Sequence, residues 1–356
     1  MERHLSEWIF KMEKWDRTMN PELIMTLYFM NLKRRENTKS MKKALRIIGK
    51  IVLGVLATIV VLLLGIFIYN RIKLADDKDV INNQQLSQMV EVDGQMMSIY
   101  ISGEGKHTLV FMSGAGTPCP ILDFKPFTDR FDEDYRIVII EKFGYGFSNE
   151  YDGSRDVETR VSQNRKALEA AGITGSFILC PHSYSGLEAI YWAQNYPDEI
   201  EAIIGLDMAV PRSYDMYDDS IIQSVKSSDS INRLLREIGI VRLFVGGTLP
   251  DDFTDEEKKI ATAIICNNFG SKTASNETDY IISDLALIDG MPMPDVPTLL
   301  IISDGTVTEG WIDFEMNYAS QLSDVTTVQL NCGHSVYDYE PDKCEAAMRG
   351  FIDGLD

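Results

Sequence analysis

The chain has 356 residues, enough for one domain of roughly 250–280 residues plus an N-terminal extension. Its net charge is −20, unevenly spread: residues 1–50 carry 12 Lys+Arg against 6 Asp+Glu, so the rest of the chain is strongly acidic. That balance argues against a nucleic-acid partner, because phosphate binding needs a basic footprint. Five cysteines without a CxxC pair, and only four histidines, give no metal-ligand spacing, so neither a metal nor another cofactor is expected.

Residues 1–50 form a basic segment, read as a cytoplasmic tail. Residues 51–69, IVLGVLATIVVLLLGIFIY, contain no charge and are long enough to cross a bilayer as a helix. Lys33, Arg34, Arg35, Lys39, Lys42, Lys43, Arg46 and Lys50 precede this run, and Asp76, Asp77 and Asp79 follow it. The positive-inside bias makes residues 51–70 a signal-anchor helix with a cytoplasmic N-terminus and an outward-facing domain at the plasma membrane. The run is long for a cleaved signal peptide, and no A-x-A site follows it. Residues 71–88 read as a juxtamembrane linker.

From residue 89 strands alternate with helices. MVEV and QMMSIYIS flank an Asp93-Gly94 turn and read as a hairpin. HTLVFMSG (107–114) and YRIVIIEK (135–142) are apolar runs of the buried-strand type, followed by a helix over 156–172 and the strand SFILCP (176–181). A helix over 184–196 and the strand IEAIIGLD (200–207) come next. Residues 210–290 break the rhythm with helical stretches near 228–240, 254–268 and 276–288, and read as a lid. Strands PTLLIIS (297–303) and TTVQLNC (326–332) then alternate with helices over 309–322 and 341–353. The pattern predicts a mostly parallel eight-stranded sheet covered by helices on both faces.

The chemistry centres on Pro181-His182-Ser183-Tyr184-Ser185-Gly186. An apolar strand ends, a serine sits in a crowded turn of small residues, and a helix begins at once. Such a turn exposes the serine oxygen above the sheet edge and aims helix N–H groups at developing negative charge. The pattern departs from G-x-S-x-G at both glycines. Ser185 is a mild change, whereas Pro181 lacks a ladder donor and suits a frayed strand end. With Ser113-Gly114-Ala115-Gly116, Glu141-Lys-Phe-Gly144-Tyr-Gly146-Phe-Ser148 and Asn331-Cys-Gly-His334 in matching order, residues 89–356 resemble the α/β-hydrolase superfamily, on its esterase and proline-iminopeptidase side.

The resemblance implies Ser183 as nucleophile, His334 as general base, and the backbone N–H groups of Ala115 and Tyr184 as oxyanion donors. His4 and His107 lie far from the motif, and His182 points away from the base position. The third triad member stays open. Asp207 ends IEAIIGLD, and Asp304 follows PTLLIIS inside an Asp-Gly turn; Asp207 is slightly favoured, and Glu309 lies further on. A serine nucleophile implies acyl transfer to water from a small-molecule ester or related acyl substrate. The alternatives are a proline-iminopeptidase-like aminopeptidase using lid carboxylates Asp251, Asp252, Asp255, Glu256 and Glu257, or a non-catalytic binding module. Oligomeric state and acyl specificity have no signature in the sequence. Cys119 and Cys332 flank the motifs and read as packing residues.

Overall fold

The computed structural model describes residues 6, 7, 10, 11, 14, 20–215 and 217–355, so His4 lies outside the described residues. The chain forms two units, residues 1–65 and 66–356. Helix α1 runs over Pro21–Asn82. It holds a span long and apolar enough to cross a membrane, with mean hydropathy 3.2 in its most apolar window. The helix continues through residues 71–82, where the sequence suggested a linker. Charge does not interrupt it, because this stretch has neither Gly nor Pro.

Within the second unit, the later part of α1 is fastened by buried polar contacts. Asn70 Nδ2 donates to the Arg236 carbonyl at 3.1 Å, and Arg242 Nε donates to Asn70 Oδ1 at 2.8 Å. The Arg242 guanidinium also pairs with Asp77, and both side chains are buried. Removing one partner of a buried pair leaves an uncompensated charge. Arg242→Met is therefore expected to destabilise this unit by about 3–5 kcal/mol. A urea melt of the full chain in detergent, followed by near-UV circular dichroism, checks this; an unchanged midpoint would contradict it.

The following elements are β1 (Gln88–Val92), β2 (Gln95–Ser102), β3 (Thr108–Met112), α2 (Pro120–Thr128), β4 (Arg136–Glu141), α3 (Val157–Ala170), β5 (Phe177–Ser183), α4 (Ser185–Asn195) and β6 (Ile200–Met208). A helical insertion follows: α5 (Asp219–Glu237), α6 (Ile240–Phe244), α7 (Asp255–Asn268), α8 (Lys272–Asn276) and α9 (Ile281–Asp289). The chain then returns to the sheet with β7 (Thr298–Ile302), α10 (Trp311–Ala319), β8 (Val325–Gln329), α11 (Val336–Tyr339) and α12 (Pro341–Ile352).

The eight strands form one sheet in the order β1-β2-β4-β3-β5-β6-β7-β8. β1 pairs antiparallel with β2, and β2 with β4; all later pairings are parallel. Parallel strands need crossovers, and the helices that supply them cover both faces. The residues alternate accordingly. Val110 and Met112 of β3 pack with Val161, Leu187 and Trp192 on one face. Leu109 and Phe111 pack with Ile121, Phe124 and Met348 on the other. Phe111 is fully buried, and truncating such a residue to Ala costs about 3–5 kcal/mol.

Strand order reverses around β3: the chain steps from β3 to β4 on one side, then returns to place β5 on the other. Ligands of open α/β sheets bind where such a reversal opens a crevice at the carboxyl ends of the strands. Ser183 is the last residue of β5 and lies at that edge.

Local capping shapes the insertion. Asp218 accepts from the N–H groups of Ser220 and Ile221 at the start of α5. At α7, Thr254 and Glu257 form a reciprocal capping box. Asp255 and Glu256 occupy the first turn of α7 and, with Asp251 and Asp252, face solvent. The acidic run is thus a helix start, where negative charge is favourable.

Candidate active site

Ser183 joins β5 to α4 with φ 55, a left-handed backbone that a non-glycine residue adopts only when its surroundings impose it. Those surroundings are tight. A Cβ on Gly186 would meet the Ala209 carbonyl oxygen at 2.1 Å, so the first turn of α4 presses directly on the end of β6. The Ala209 N–H donates to the Ser183 carbonyl at 2.8 Å. The Ser185 hydroxyl, fully buried, lies 2.7 Å from the Met112 carbonyl and 2.9 Å from that of His182. Where the motif departs from glycine, Ser185 thus ties the turn to β3. Pro181 does not lie at a frayed end. It lies within β5, opposite Met112 of β3, with His182 and Ser183 still in the strand beyond it.

The first glycine-rich loop follows β3. A Cβ on Gly114 would meet Ser183 Cβ at 2.8 Å and Oγ at 3.3 Å, so this loop approaches the serine closely enough to require glycine. Ala115 and Gly116 beyond it are exposed. The N–H groups of Ala115 and Tyr184 have no acceptor among the described residues. Ser113 is buried behind this loop.

His334 follows β8, and its Nδ1 lies 2.6 Å from Asp207 Oδ2. Asp207 is fully buried at the end of β6 and has φ 49. Its second oxygen accepts from the Ser303 N–H at 2.7 Å and from Trp311 Nε1 at 3.0 Å. These donors hold one carboxylate oxygen while the other meets the imidazole. The His334 ring packs edge-on against Trp311, with centroids 5.6 Å apart, and lies 4.6 Å from the ring of His182, the residue before the serine. Burial, reinforced by His334, pushes the His182 imidazole down to about 3, so it is neutral at ordinary pH. Ser183 and Asp207 join the hairpin residue Asp93 as the non-glycine residues with positive φ among the described residues.

The other acid candidates lie elsewhere. Asp304 Oδ1 accepts from the N–H and hydroxyl of Thr306, at 3.0 and 2.7 Å, in its own turn. These bonds, led by that from the hydroxyl, lower its carboxyl from the ordinary value. Glu309 is exposed. Among the described residues no group of His, Cys, Asp and Glu could hold a metal ion. All five cysteines are free, and Cys119 is buried.

Two features of the site have no local sequence signal. The first is Glu315 of α10, which is buried with both carboxylate oxygens unpartnered. Burial pushes its carboxyl well above the ordinary value, and Asp207 adds to the shift. A carboxyl raised in the folded state favours folding at low pH and costs stability as pH rises through the unfolded carboxylate range. Glu315→Gln is expected to stabilise the protein at pH 8, where the folded state must either hold a proton or bury a charge, and to change little at pH 4. Urea midpoints at the two pH values test this, and equal effects at both would refute it.

The second is a buried set of charges behind the serine. Lys142 Nζ lies 2.7 Å from Glu188 Oε1, which also accepts from Arg160 Nε at 3.1 Å. Arg160 Nη2 reaches Asp284 at 3.2 Å, and Arg155 Nη2 reaches Glu277 at 2.7 Å. Burial alone would raise the Glu277 carboxyl; Lys142, Arg155 and Arg160 more than reverse this and hold it low. Its members come from four separate stretches of chain, so no spacing announces it.

A serine in a strained strand-to-helix turn at the carboxyl edge of this sheet defines the class as α/β-hydrolase. A family described as an α/β hydrolase of unknown function matches residues 73–244. The uncharacterized protein YbdG of Bacillus subtilis is 33% identical over 309 residues, covering 83% of this chain and 94% of that one. Among solved structures, the epoxide hydrolase VrEH1 of Vigna radiata superposes with a TM-score of 0.60 at 17% identity, covering 75% of this chain and 97% of its own. An E-2-(acetamidomethylene)succinate hydrolase gives 0.56 at 16%, covering 75% and 98%. These two share the fold. The chain belongs to the α/β-hydrolase superfamily and is an enzyme of the hydrolase class.

Proposed function

We propose that the protein is a membrane-anchored serine hydrolase that cleaves a carboxylic ester or related acyl bond of a small molecule. The observation that carries this reading is the 2.6 Å contact between Asp207 and His334 Nδ1, beside a serine in a strained turn. With Nδ1 engaged by the carboxylate, the ring is oriented and its Nε2 is the free basic nitrogen. Ser183 Oγ attacks the carbonyl carbon while His334 takes its proton. The oxyanion is stabilised by the N–H groups of Ala115 and Tyr184. Collapse expels the leaving group with the proton from His334. Water, deprotonated by His334, then attacks the acyl-enzyme, and Ser183 recovers its proton.

A carboxylate nucleophile of the kind that forms alkyl esters is absent from this turn, which favours acyl transfer over epoxide or haloalkane opening. The helical insertion acts as a lid and supplies much of the substrate pocket. Its acidic run at α7 faces solvent, which favours the esterase reading over an aminopeptidase holding a substrate amine there. The apolar part of α1 anchors the chain, with the basic N-terminal segment cytoplasmic and the hydrolase domain outside.

The test is fluorophosphonate labelling of the full-length chain in detergent, together with hydrolysis of p-nitrophenyl butyrate. Ser183→Ala is expected to abolish both. Labelling at another residue, or ester turnover that survives Ser183→Ala, would refute the reading. Turnover of an aminoacyl-naphthylamide without ester turnover would turn it to the aminopeptidase.

A further inference from the structure

We propose that Glu277, which belongs to the helical insertion, is a positioning residue for the oxyanion hole, acting through Tyr145; this rests on the serine-hydrolase reading. Glu277 begins a short turn after α8 and is buried, 1% exposed. Its two oxygens are divided. Oε1 accepts from Arg155 Nη2 at 2.7 Å, and Oε2 accepts from the Tyr145 hydroxyl at 2.9 Å. The same phenol oxygen accepts the Gly116 N–H at 3.3 Å. A continuous chain therefore runs from the insertion, through Tyr145, to the loop that carries the Ala115 N–H.

The direction of these bonds matters. A phenol has one proton and two lone pairs. With its proton given to Glu277, the Tyr145 oxygen must present lone pairs elsewhere, and Gly116 N–H meets one of them. A carboxylate can only accept, so it fixes the phenol proton in one direction. Burial and the neighbouring Glu277 keep the Tyr145 hydroxyl protonated, so it remains a donor.

The oxyanion loop needs such a brace. Ala115 and Gly116 are exposed, and so lack the packing that holds the strands. Beyond them the Gly146 N–H donates to the Pro118 carbonyl at 3.0 Å. Between that point and Gly114, the hydrogen bond to Tyr145 is the link that sets the peptide plane after Ala115. The opposite wall reaches the same residue. Tyr184, whose N–H is the other oxyanion donor, has its hydroxyl 3.4 Å from the Glu277 carbonyl, and Arg160 Nη2 donates to that hydroxyl at 3.3 Å. Both walls of the hole thus lean on one residue of the insertion. Displacing the insertion would release both together, which couples its closure to the geometry of the hole.

A plain counter-ion role for Glu277 predicts something different. Arg155 and Lys142 need its charge, so substituting Glu277 tests stability as well as positioning. Tyr145→Phe separates the two. It removes only the phenol oxygen and leaves the ion pairs of Glu277 in place. The probe is a fluorophosphonate, which forms a Ser183 Oγ–P bond, expels fluoride and passes the serine proton to His334, with its phosphoryl oxygen in the hole. For full-length protein in detergent, Tyr145→Phe is expected to slow labelling about 10–100-fold, with full labelling at the end point. kcat for p-nitrophenyl butyrate should fall by the same factor, with KM within about threefold of wild type. Glu277→Gln should slow labelling comparably, and the double variant should be no slower than the slower single variant, since both act through one chain of bonds.

A folded Tyr145→Phe that labels within about twofold of wild type overturns the inference and leaves the serine-hydrolase reading standing. Effects of Tyr145→Phe and Glu277→Gln that multiply also overturn it. If Glu277→Gln fails to fold, Tyr145→Phe decides alone. Absence of label on Ser183 in the wild type overturns the serine-hydrolase reading and the inference together.

Discussion

Asp207→Asn is expected to lower kcat of the full-length chain on p-nitrophenyl butyrate by about 10⁴-fold, whereas Asp304→Asn should leave it within about twofold. The difference follows from what each carboxylate touches. Asp207 Oδ2 meets His334 Nδ1 at 2.6 Å, and its other oxygen takes the Ser303 N–H and Trp311 Nε1. Asparagine would keep the shape. Its amide must either donate toward Nδ1, which forces the wrong tautomer, or turn its donor on Ser303 N–H and Trp311 Nε1, which are themselves donors. The first arrangement leaves the proton on Nε2, which then cannot accept the serine proton; the second keeps that nitrogen free but sets amide donors against two buried donors, so the first is favoured. Asp304 spends its carboxylate on Thr306 in a local turn, and a polar isostere retains most of that turn. Steady-state kinetics on the two variants, with urea melts to show that both are folded, decide the matter. A collapse in Asp304→Asn with activity retained in Asp207→Asn would refute the assignment.

Glu188→Ala is expected to carry a large cost in stability. Glu188 is fully buried on α4 and accepts from Lys142 Nζ at 2.7 Å, Arg160 Nε at 3.1 Å and Asn164 Nδ2 at 3.1 Å. Removing its carboxylate leaves two buried cations short of one counter-charge. The cost should be about 3–5 kcal/mol, which for a unit of this size lowers Tm by on the order of 10 °C. The surface pair of exposed Lys343 and half-buried Glu340 gives the contrast. Its nitrogen and oxygen are 2.9 Å apart, yet solvent screens it, and Lys343→Ala should cost well under 1 kcal/mol. Thermal melts of both variants in the same detergent check the pair of expectations, and similar costs would show that the network carries no more than a surface pair.

The same network responds to acid. The Glu277 carboxyl is held below its ordinary 4.5 in the folded protein. Its contribution is therefore present above that value and is lost as pH falls below it.

Much of the architecture was legible in the sequence because its signals are local. Runs such as LVFM and RIVIIE are apolar on both faces, which only a doubly covered strand needs, and β3 and β4 are built from them. The run of residues 51–69 is long and apolar enough to cross a membrane, and that is written in composition alone. The serine turn was equally local: a strand, a serine among small residues and a helix follow one another without interruption. Glycine at 186 and 114 is demanded by contacts that a short motif encodes.

Other features depend on contacts between distant residues. Asp207 and Asp304 carry the same local signal, an Asp at the end of an apolar strand. His334 lies 127 positions from Asp207, and the parallel pairing of β6, β7 and β8 brings their ends together. Pro181 looked unsuited to a strand interior, yet the sheet accommodates it opposite Met112. The buried charges of Lys142, Arg155, Arg160, Glu188, Glu277 and Asp284 read in sequence as ordinary surface residues. Charge is affordable inside only when partners from several elements converge, and no periodicity within one element can announce that convergence. Sequence thus determined the kind of fold and the place of the serine turn, through patterns spanning a few residues. Tertiary structure decided which acid meets the histidine and how the insertion is tied to the loop at Gly116, because those are distances between elements far apart along the chain.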